Sequence, residues 1–265
     1  MKCLYVDLDG TLLGPGASIL GDAEGRFTLD GVRALQACDR AGVEVVIYSG
    51  RRQSSVFEAA RLIGSSAYIF EIGCGLVLDG ELEWLTDGLE PRDGASIFDQ
   101  ITATGAPALL LERYADRLEY HAPWHIGREV SHLFRGLVDT AEVNDLLGGH
   151  GLRLVDNGVI HERVGHLPIT HAYHLIPAGA SKARGVARHM LARGYQRADC
   201  IAVGDSREDL EAAGVVETFW LVANAPQRDP GMREEIAGRA GVRIAEGAYG
   251  AGVYEAVVTT LAERR

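Results

Sequence analysis

The chain predicts an α/β fold, in which a parallel sheet covered by helices on both faces is interrupted by an inserted α+β segment. Three observations carry that expectation. Over about the first 80 residues, short continuous apolar runs alternate with helix-length stretches; the same rhythm returns near residue 177; and the segment between is broken by Asp/Gly-rich turns. Continuous apolar strands joined by helices imply strands buried on both faces, the mark of a parallel sheet.

The elements follow in order. Residues 3–7 read as a buried strand. Residues 30–41 read as a helix that opens on Asp30 as its cap and stops at Gly42. A second strand is expected over 43–48, a second helix over 53–62 and a third strand over 67–70. Near the other end come a helix over 180–193, a strand over 199–203, a helix over 206–213, a strand over 218–222 and helices around 231–239 and 249–262. Gly194 and Gly214 are placed to close two of these helices. Between residues 81 and 175, helical stretches are expected around 94–104 and 126–138. Asn157-Gly158, between apolar residues 152–155 and 159–161, predicts a hairpin turn.

A length of 265 residues allows one large domain or two modest ones with a real core. The net charge of -11 argues against a general nucleic-acid binder, which needs excess Lys and Arg. It leaves room for a small phosphorylated substrate, because a divalent cation and local cations can overcome a screened negative surface. No apolar stretch is long enough to span a membrane. A charge at Asp7 arrives too early for a secretory core, and Cys3, Cys38, Cys74 and Cys200 form no C-x-x-C pair. A reducing cytoplasm and free thiols are expected.

Four segments carry the chemistry, and each ends or follows an apolar run. In an open parallel sheet, ligands sit beyond the carboxyl ends of the strands, so residues just past those runs converge there. The first segment is Asp7-Leu8-Asp9-Gly10-Thr11. Its period of two puts both carboxylates on one face, and Gly10 lets the chain turn. A calcium loop can begin this way, but it needs further acids, and residues 12–20 supply none. The second is Ser49-Gly50-Arg51, where Ser49 would serve equally as a hydroxyl capping the helix near Gln53. The third is Lys182, a cation in the first turn of a helix, where the dipole disfavours it unless it faces solvent or an anion. The fourth is Gly204-Asp205-Ser206-Arg207-Glu208-Asp209, with Asp209 one turn beyond Asp205. Alone, Asp205-Ser206 passes for a helix cap. In sequence order and in shared position, the four suit a phosphate ester held by a hard cation.

Together these segments resemble the haloacid dehalogenase (HAD) superfamily of phosphohydrolases, in the order that family uses. The insertion after the third strand is similar to the branch with a large α/β cap, which includes sucrose-phosphate and mannosyl-3-phosphoglycerate phosphatases and the phosphomannomutases. Ser49-Gly50-Arg51 resembles the Thr-Gly-Arg of that branch. The resemblance implies a Rossmann-like parallel-sheet core of residues 1–80 and 176–265, with residues 81–175 as an inserted α+β cap that sets substrate choice. It implies Asp7 as nucleophile and Asp9 as acid/base, the latter primed by a neighbouring carboxylate. Ser49 and Lys182 would hold the phosphoryl oxygens, helped by Gly10, Thr11, Gly50 and Arg51. Mg²⁺ would lie among the Asp7 carboxylate, the Asp9 carbonyl and Asp205, with Ser206, Glu208 and Asp209 behind it. The implied activity is hydrolysis of a small phosphomonoester, a sugar or sugar-acid phosphate, through an aspartyl-phosphate. The alternatives are a phosphosugar mutase and a non-catalytic phosphate binder.

Two departures stand out. Glu208 occupies a place where relatives usually carry Asn, and Glu71-Ile72-Gly73 replaces a common Asn-Gly after the third strand. In the insertion, His121, His125, His132, His150, His161, His166, His171 and His174 invite a zinc reading, but Pro123 interrupts the one suitable spacing, His121/His125. Arg113, Arg117, Arg128, Arg135, Arg153 and Arg163 are the candidates for reading a second anionic group on a substrate.

Overall fold

The computed structural model describes residues 1–160 and 164–264. The chain begins with β1 (Cys3–Val6), followed by α1 (Asp30–Ala41), β2 (Glu44–Tyr48), α2 (Gln53–Leu62) and β3 (Ala67–Phe70). Asp30 is the first helical residue and not the cap. Leu29 holds the cap position without a side-chain bond, and Asp30 lies where the helix dipole favours an acid. A hairpin of β4 (Gly75–Leu78) and β5 (Glu81–Trp84) comes next and extends the same sheet.

The middle of the chain holds α3 (Ile97–Ala103), α4 (Ala106–Arg113), β6 (Leu118–Tyr120), β7 (His132–Gly136), α5 (Thr140–Leu146), β8 (Leu152–Ile160) and β9 (Thr170–Pro177). The last third supplies α6 (Lys182–Arg193), β10 (Cys200–Gly204), α7 (Arg207–Leu210), β11 (Thr218–Leu221), α8 (Ala225–Arg228), α9 (Gly231–Ile236), β12 (Val242–Ile244) and α10 (Tyr249–Glu263).

The large sheet has eight strands in the order β12-β11-β10-β1-β2-β3-β4-β5, parallel from β12 to β3 and antiparallel beyond. Alternation sorts its side chains: Cys3 and Tyr5 join one buried cluster, while Leu4 and Val6 join the cluster on the opposite face. The chain leaves β1 toward β2 and later returns to β10 on the other side, so a crevice opens at the carboxyl ends of β1 and β10. A second sheet, β6-β7-β9-β8, is wholly antiparallel and packs with α3, α4 and α5 around its own apolar cluster.

Two expectations in the insertion are corrected. Residues 132–136 form the strand β7, not part of a helix, because both edges of this segment are paired, with β6 and with β9. The Asn157-Gly158 pair is not a hairpin turn. Strand β8 runs on through it along β9, and the register shifts between Asp156 and Val159, so the two residues form a bulge with Gly158 at φ 93°. His161 and Arg163 lie outside the described residues.

Candidate active site

The four segments meet at the carboxyl edge of the large sheet. Asp7 follows β1 directly and is buried. Lys182, only 1 % exposed at the start of α6, donates to Asp7 Oδ1 at 2.8 Å and to Asp209 Oδ1 at 2.6 Å. The solvent-facing alternative for this lysine is thereby excluded. Carboxylate oxygens of Asp7, Asp205 and Asp209 all lie within 4.8 Å of one another. Asp209 Oδ2 accepts from the Asp205 and Ser206 backbone N–H groups and from Ser206 Oγ, so α7 opens with a capping box that also fixes the Asp209 carboxylate.

Gly10 shows why the turn after Asp9 requires glycine. Its φ is 88°, and a Cβ there would stand 2.1 Å from Asp205 Oδ2. Thr11 is fully buried and its hydroxyl donates to Asp205 Oδ1 at 3.3 Å. Ser49 is also buried; its Oγ accepts from the Arg51 backbone N–H at 3.2 Å and does not cap α2.

The electrostatics are those of a site short of positive charge. Burial, with Asp209 and Asp205 nearby, raises the proton affinity of Asp7 well above the usual carboxylate range despite Lys182. Burial and Asp209 push Asp205 up to about 7 against the pull of Arg228. Burial opposes the charge on Lys182, but Asp209 and Asp7 outweigh it and raise its pKa. Arg228 Nη1 donates to Asp205 Oδ2 at 2.8 Å, so two buried carboxylates and the partly buried Asp205 face two cations. An all-oxygen donor set with excess negative charge fits a hard divalent cation.

Asp9 stands differently from expectation. Its carboxylate is half exposed and takes a two-pronged ion pair from Arg51, with Nε and Nη2 each 2.5 Å from an oxygen. The neighbour expected to prime it, a second carboxylate, is in this structure a guanidinium.

Glu208 is buried but belongs to neither the Asp7 cluster nor the solvent. Its Oε2 has no hydrogen-bond partner among the described residues and lies 3.8 Å from Arg153 Nη2 on β8. Burial, and secondarily Glu211, push its carboxyl up to about 8. Glu71 is also fully buried. It accepts from the backbone N–H groups of Glu129, Val130 and Ser131 at 2.8, 3.2 and 2.5 Å, with Arg128 at 3.7 Å. Burial works against its charge, yet Arg128 and these donors keep its pKa low. Glu71, Ile72 and Gly73 are all left-handed, at φ 46°, 58° and 83°. At Gly73 a side chain would meet the Ser181 carbonyl at 2.0 Å, so this turn presses against the segment carrying Lys182. Ile72 is buried beneath Gly50. Cys74 is buried too, and burial raises its thiol pKa, which removes it as a reactive group near the site.

The arginines of the inserted segment sort themselves. Arg113 pairs with Glu142, Arg135 with Glu119, and Arg117 lies over Tyr114. Arg128 and Arg153 instead reach the large-sheet side, at the Gly50 and Ala180 carbonyls. His174 and Asn157 approach Gly50 closely enough that a Cβ there would lie 3.2 Å from each. Three further residues were not found from the sequence: Arg228, Tyr48, whose ring lies 5.0 Å from Lys182 Nζ, and Asn224, which donates to the Gly10 carbonyl at 2.8 Å. Asn224 and Arg228 follow β11, so the rule that located the four segments applies to them as well.

No family model matches the chain. It is 28% identical over 257 residues to a phosphoglycolate phosphatase of Pyrobaculum neutrophilum, covering 97% of this chain and 94% of that one. A phosphoglycolate phosphatase of Methanothermobacter thermautotrophicus is 26% identical, with 97% of each chain covered. Among solved structures, the sucrose-phosphatase of Synechocystis superposes with a TM-score of 0.65 at 13% identity, over 98% of this chain and 97% of that one. A phosphatase of the HAD enzyme superfamily from Bacteroides thetaiotaomicron gives 0.66 at 16%, over 98% and 95%. The chain thus shares its fold with solved structures that are themselves described as haloacid dehalogenase superfamily phosphatases.

Proposed function

We propose that this protein is a Mg²⁺-dependent phosphomonoesterase of small phosphorylated metabolites, working in the cytoplasm through an aspartyl-phosphate. The observation that carries the reading is the buried Lys182 held between Asp7 and Asp209 with Asp205 alongside. A buried lysine that neutralises a nucleophile and also offers N–H groups to a phosphoryl oxygen suits phosphoryl transfer. A Mg²⁺ held by Asp7, Asp205 and the Asp9 carbonyl would supply charge neutralisation at the phosphoryl group.

Asp7 attacks phosphorus in line, and the P–O bond to the leaving alcohol breaks. Asp9, released from Arg51, hands a proton to that alcohol and then takes one from the water that cleaves the aspartyl-phosphate. Ser49 and Lys182 hold the equatorial oxygens; the Gly10 and Thr11 N–H groups donate to the Leu13 and Leu8 carbonyls in this structure and would join that cradle only by leaving them. Asp209 keeps Lys182 in place, Ser206 fixes Asp209, and Arg51, once off Asp9, is free to meet an anion. The α3-to-β9 segment acts as the cap, with Glu208 joined to it through Arg153.

For the substrate, phosphoglycolate ranks first, because relatives bearing that name align over nearly the whole chain. Sugar and sugar-acid phosphates rank next, on the weaker likeness to sugar phosphatases. Phosphate release should be measured across phosphoglycolate, sugar phosphates and sugar-acid phosphates, with Mg²⁺ and with chelator, beside Asp7→Asn. Release that needs both Mg²⁺ and Asp7 is expected; release from none of the panel overturns the reading.

A further inference from the structure

A second group of metal-ligating side chains lies at the opposite, amino-terminal edge of the large sheet. Cys200, Cys3 and Glu44 begin β10, β1 and β2 and are in register, Cys3 opposite both of the others. Register partners in parallel strands point to the same face, so the three side chains form one row. That face is covered by α6, whose Val186 and Met190 pack into the same cluster as Cys3 and Cys200. From the same helix, His189 stands over the row and is wholly buried.

We propose that Cys3, His189 and Glu44, with Cys200 beside them, form a site for a borderline-soft divalent cation such as Zn²⁺, separate from the Asp7 cluster. Ligand atoms of Cys3, Glu44 and His189 all lie within 4.8 Å of one another. His189 Nδ1 is bonded to the Tyr5 hydroxyl at 2.8 Å, while the buried Nε2 has no hydrogen-bond partner among the described residues and faces Glu44 Oε1 at 3.6 Å. One ring nitrogen fixed by an outer partner and the other left open is how a ligating imidazole is held. Tetrahedral zinc with bonds of about 2.0–2.3 Å sets its ligands about 3.3–3.8 Å apart, so the His–Glu spacing already fits and the thiol needs only a small approach.

A thiolate, an imidazole and one carboxylate are softer than the all-oxygen Asp7 cluster, which divides zinc from magnesium between the two ends of the sheet. Glu44 also accepts from Arg193 and from the Tyr195 hydroxyl, which hold it in position and offset part of its charge. Its side chain is 19% exposed, which gives an ion a way in. The Cys3 thiol is held protonated by burial and by Cys200, so loading releases a proton from Cys3.

The test uses Co²⁺ alone as the probe, added to protein stripped with chelator. Thiolate-to-cobalt absorption in the near ultraviolet should appear at one equivalent and persist in Asp205→Asn, because oxygen ligands give no such band. It should vanish in Cys3→Ser and in His189→Gln. Glu44→Gln, which alters the partly exposed member and spares the core, should weaken Co²⁺ binding by about 10-fold or more. As a second readout, with Asp205→Asn as background to weaken the Asp7 cluster, Zn²⁺ should raise the Tm, and adding His189→Gln should abolish that rise. Absence of the band, or its survival in folded Cys3→Ser, overturns the proposal. So does finding fewer than the four free thiols in denaturant without reductant, since a bridge between Cys3 and Cys200 would consume the ligand.

Discussion

Asp9 and Arg51 define the residue-scale question. The fork of Arg51 closes on both oxygens of Asp9 in this structure, whereas the proposed chemistry needs that carboxyl at the leaving oxygen. Arg51 must therefore exchange Asp9 for an anion of the substrate before turnover. Replacing Asp9 by Asn removes the proton carrier and leaves the backbone carbonyl in place. Turnover should fall by about 10²–10⁴-fold while Mg²⁺ affinity changes little. Steady-state kinetics beside Mg²⁺ titration calorimetry checks both halves, and full turnover removes Asp9 from the mechanism. At this scale the sequence was informative where a residue follows a strand directly, as Asp7 and Asp205 do. It was blind to pairings: nothing in the order of residues links Asp9 to Arg51, or Asp205 to Arg228, because each contact is made by folding. Glu208 shows the same limit, since its partner Arg153 lies on a strand of the other sheet.

At the scale of elements, β1, β2, β3, β10 and β11 were legible as short apolar runs, whereas β4, β5 and β12 were not, β5 and β12 carrying charged residues at the rim of the same sheet. Nor was the smaller sheet. Apolar residues at 126, 130, 133, 134 and 137 keep a helical spacing, yet pairing with β6 and β9 makes strand β7, and His132 is buried in it against Phe98 at 3.8 Å between ring centroids. Tertiary pairing overrode local periodicity there. The turn after β3 is likewise set from outside. Two consecutive non-glycine left-handed residues, Glu71 and Ile72, are unfavourable, at about 1–3 kcal/mol each. What holds them is the Glu71 carboxylate gripping the 129–131 backbone and Arg128, which ties the end of β3 to the smaller sheet. Glu71→Ala leaves three backbone donors, two of them buried, and a guanidinium short of their acceptor. Loss of such a partner should destabilise by about 3–5 kcal/mol. Urea unfolding reads this as a lowered midpoint, and an unmoved midpoint would mean that water replaces the carboxylate without cost.

Over the whole molecule, the charge of -11 conceals a seam of cations between the two sheets. Arg228 bridges Asp205 and the Val159 carbonyl, Arg153 joins Glu208 and the Ala180 carbonyl, and Arg128 spans Glu71 and the Gly50 carbonyl. Each of these cations is paired with a carboxylate, and that makes the union of the two sheets sensitive to pH. Glu208 is the clearest case. Its folded pKa of about 8 lies above the ordinary carboxyl value of 4.5, so between these limits the folded state keeps a proton that the unfolded chain has released. The stabilisation is therefore complete below about pH 4.5 and fades as pH rises toward 8, with a slope of at most about 1.4 kcal/mol per pH unit from one proton. Glu208→Gln keeps the neutral shape and cannot ionise. Asp205 and Glu129 also have raised values, and the comparison with the unaltered protein cancels them. Urea midpoints at pH 5 and pH 8 should differ less in Glu208→Gln than in the parent, with the variant the more stable at pH 8. Equal pH dependence in the two would mean that Arg153 keeps Glu208 charged throughout, and the seam would then be an ion pair at every pH.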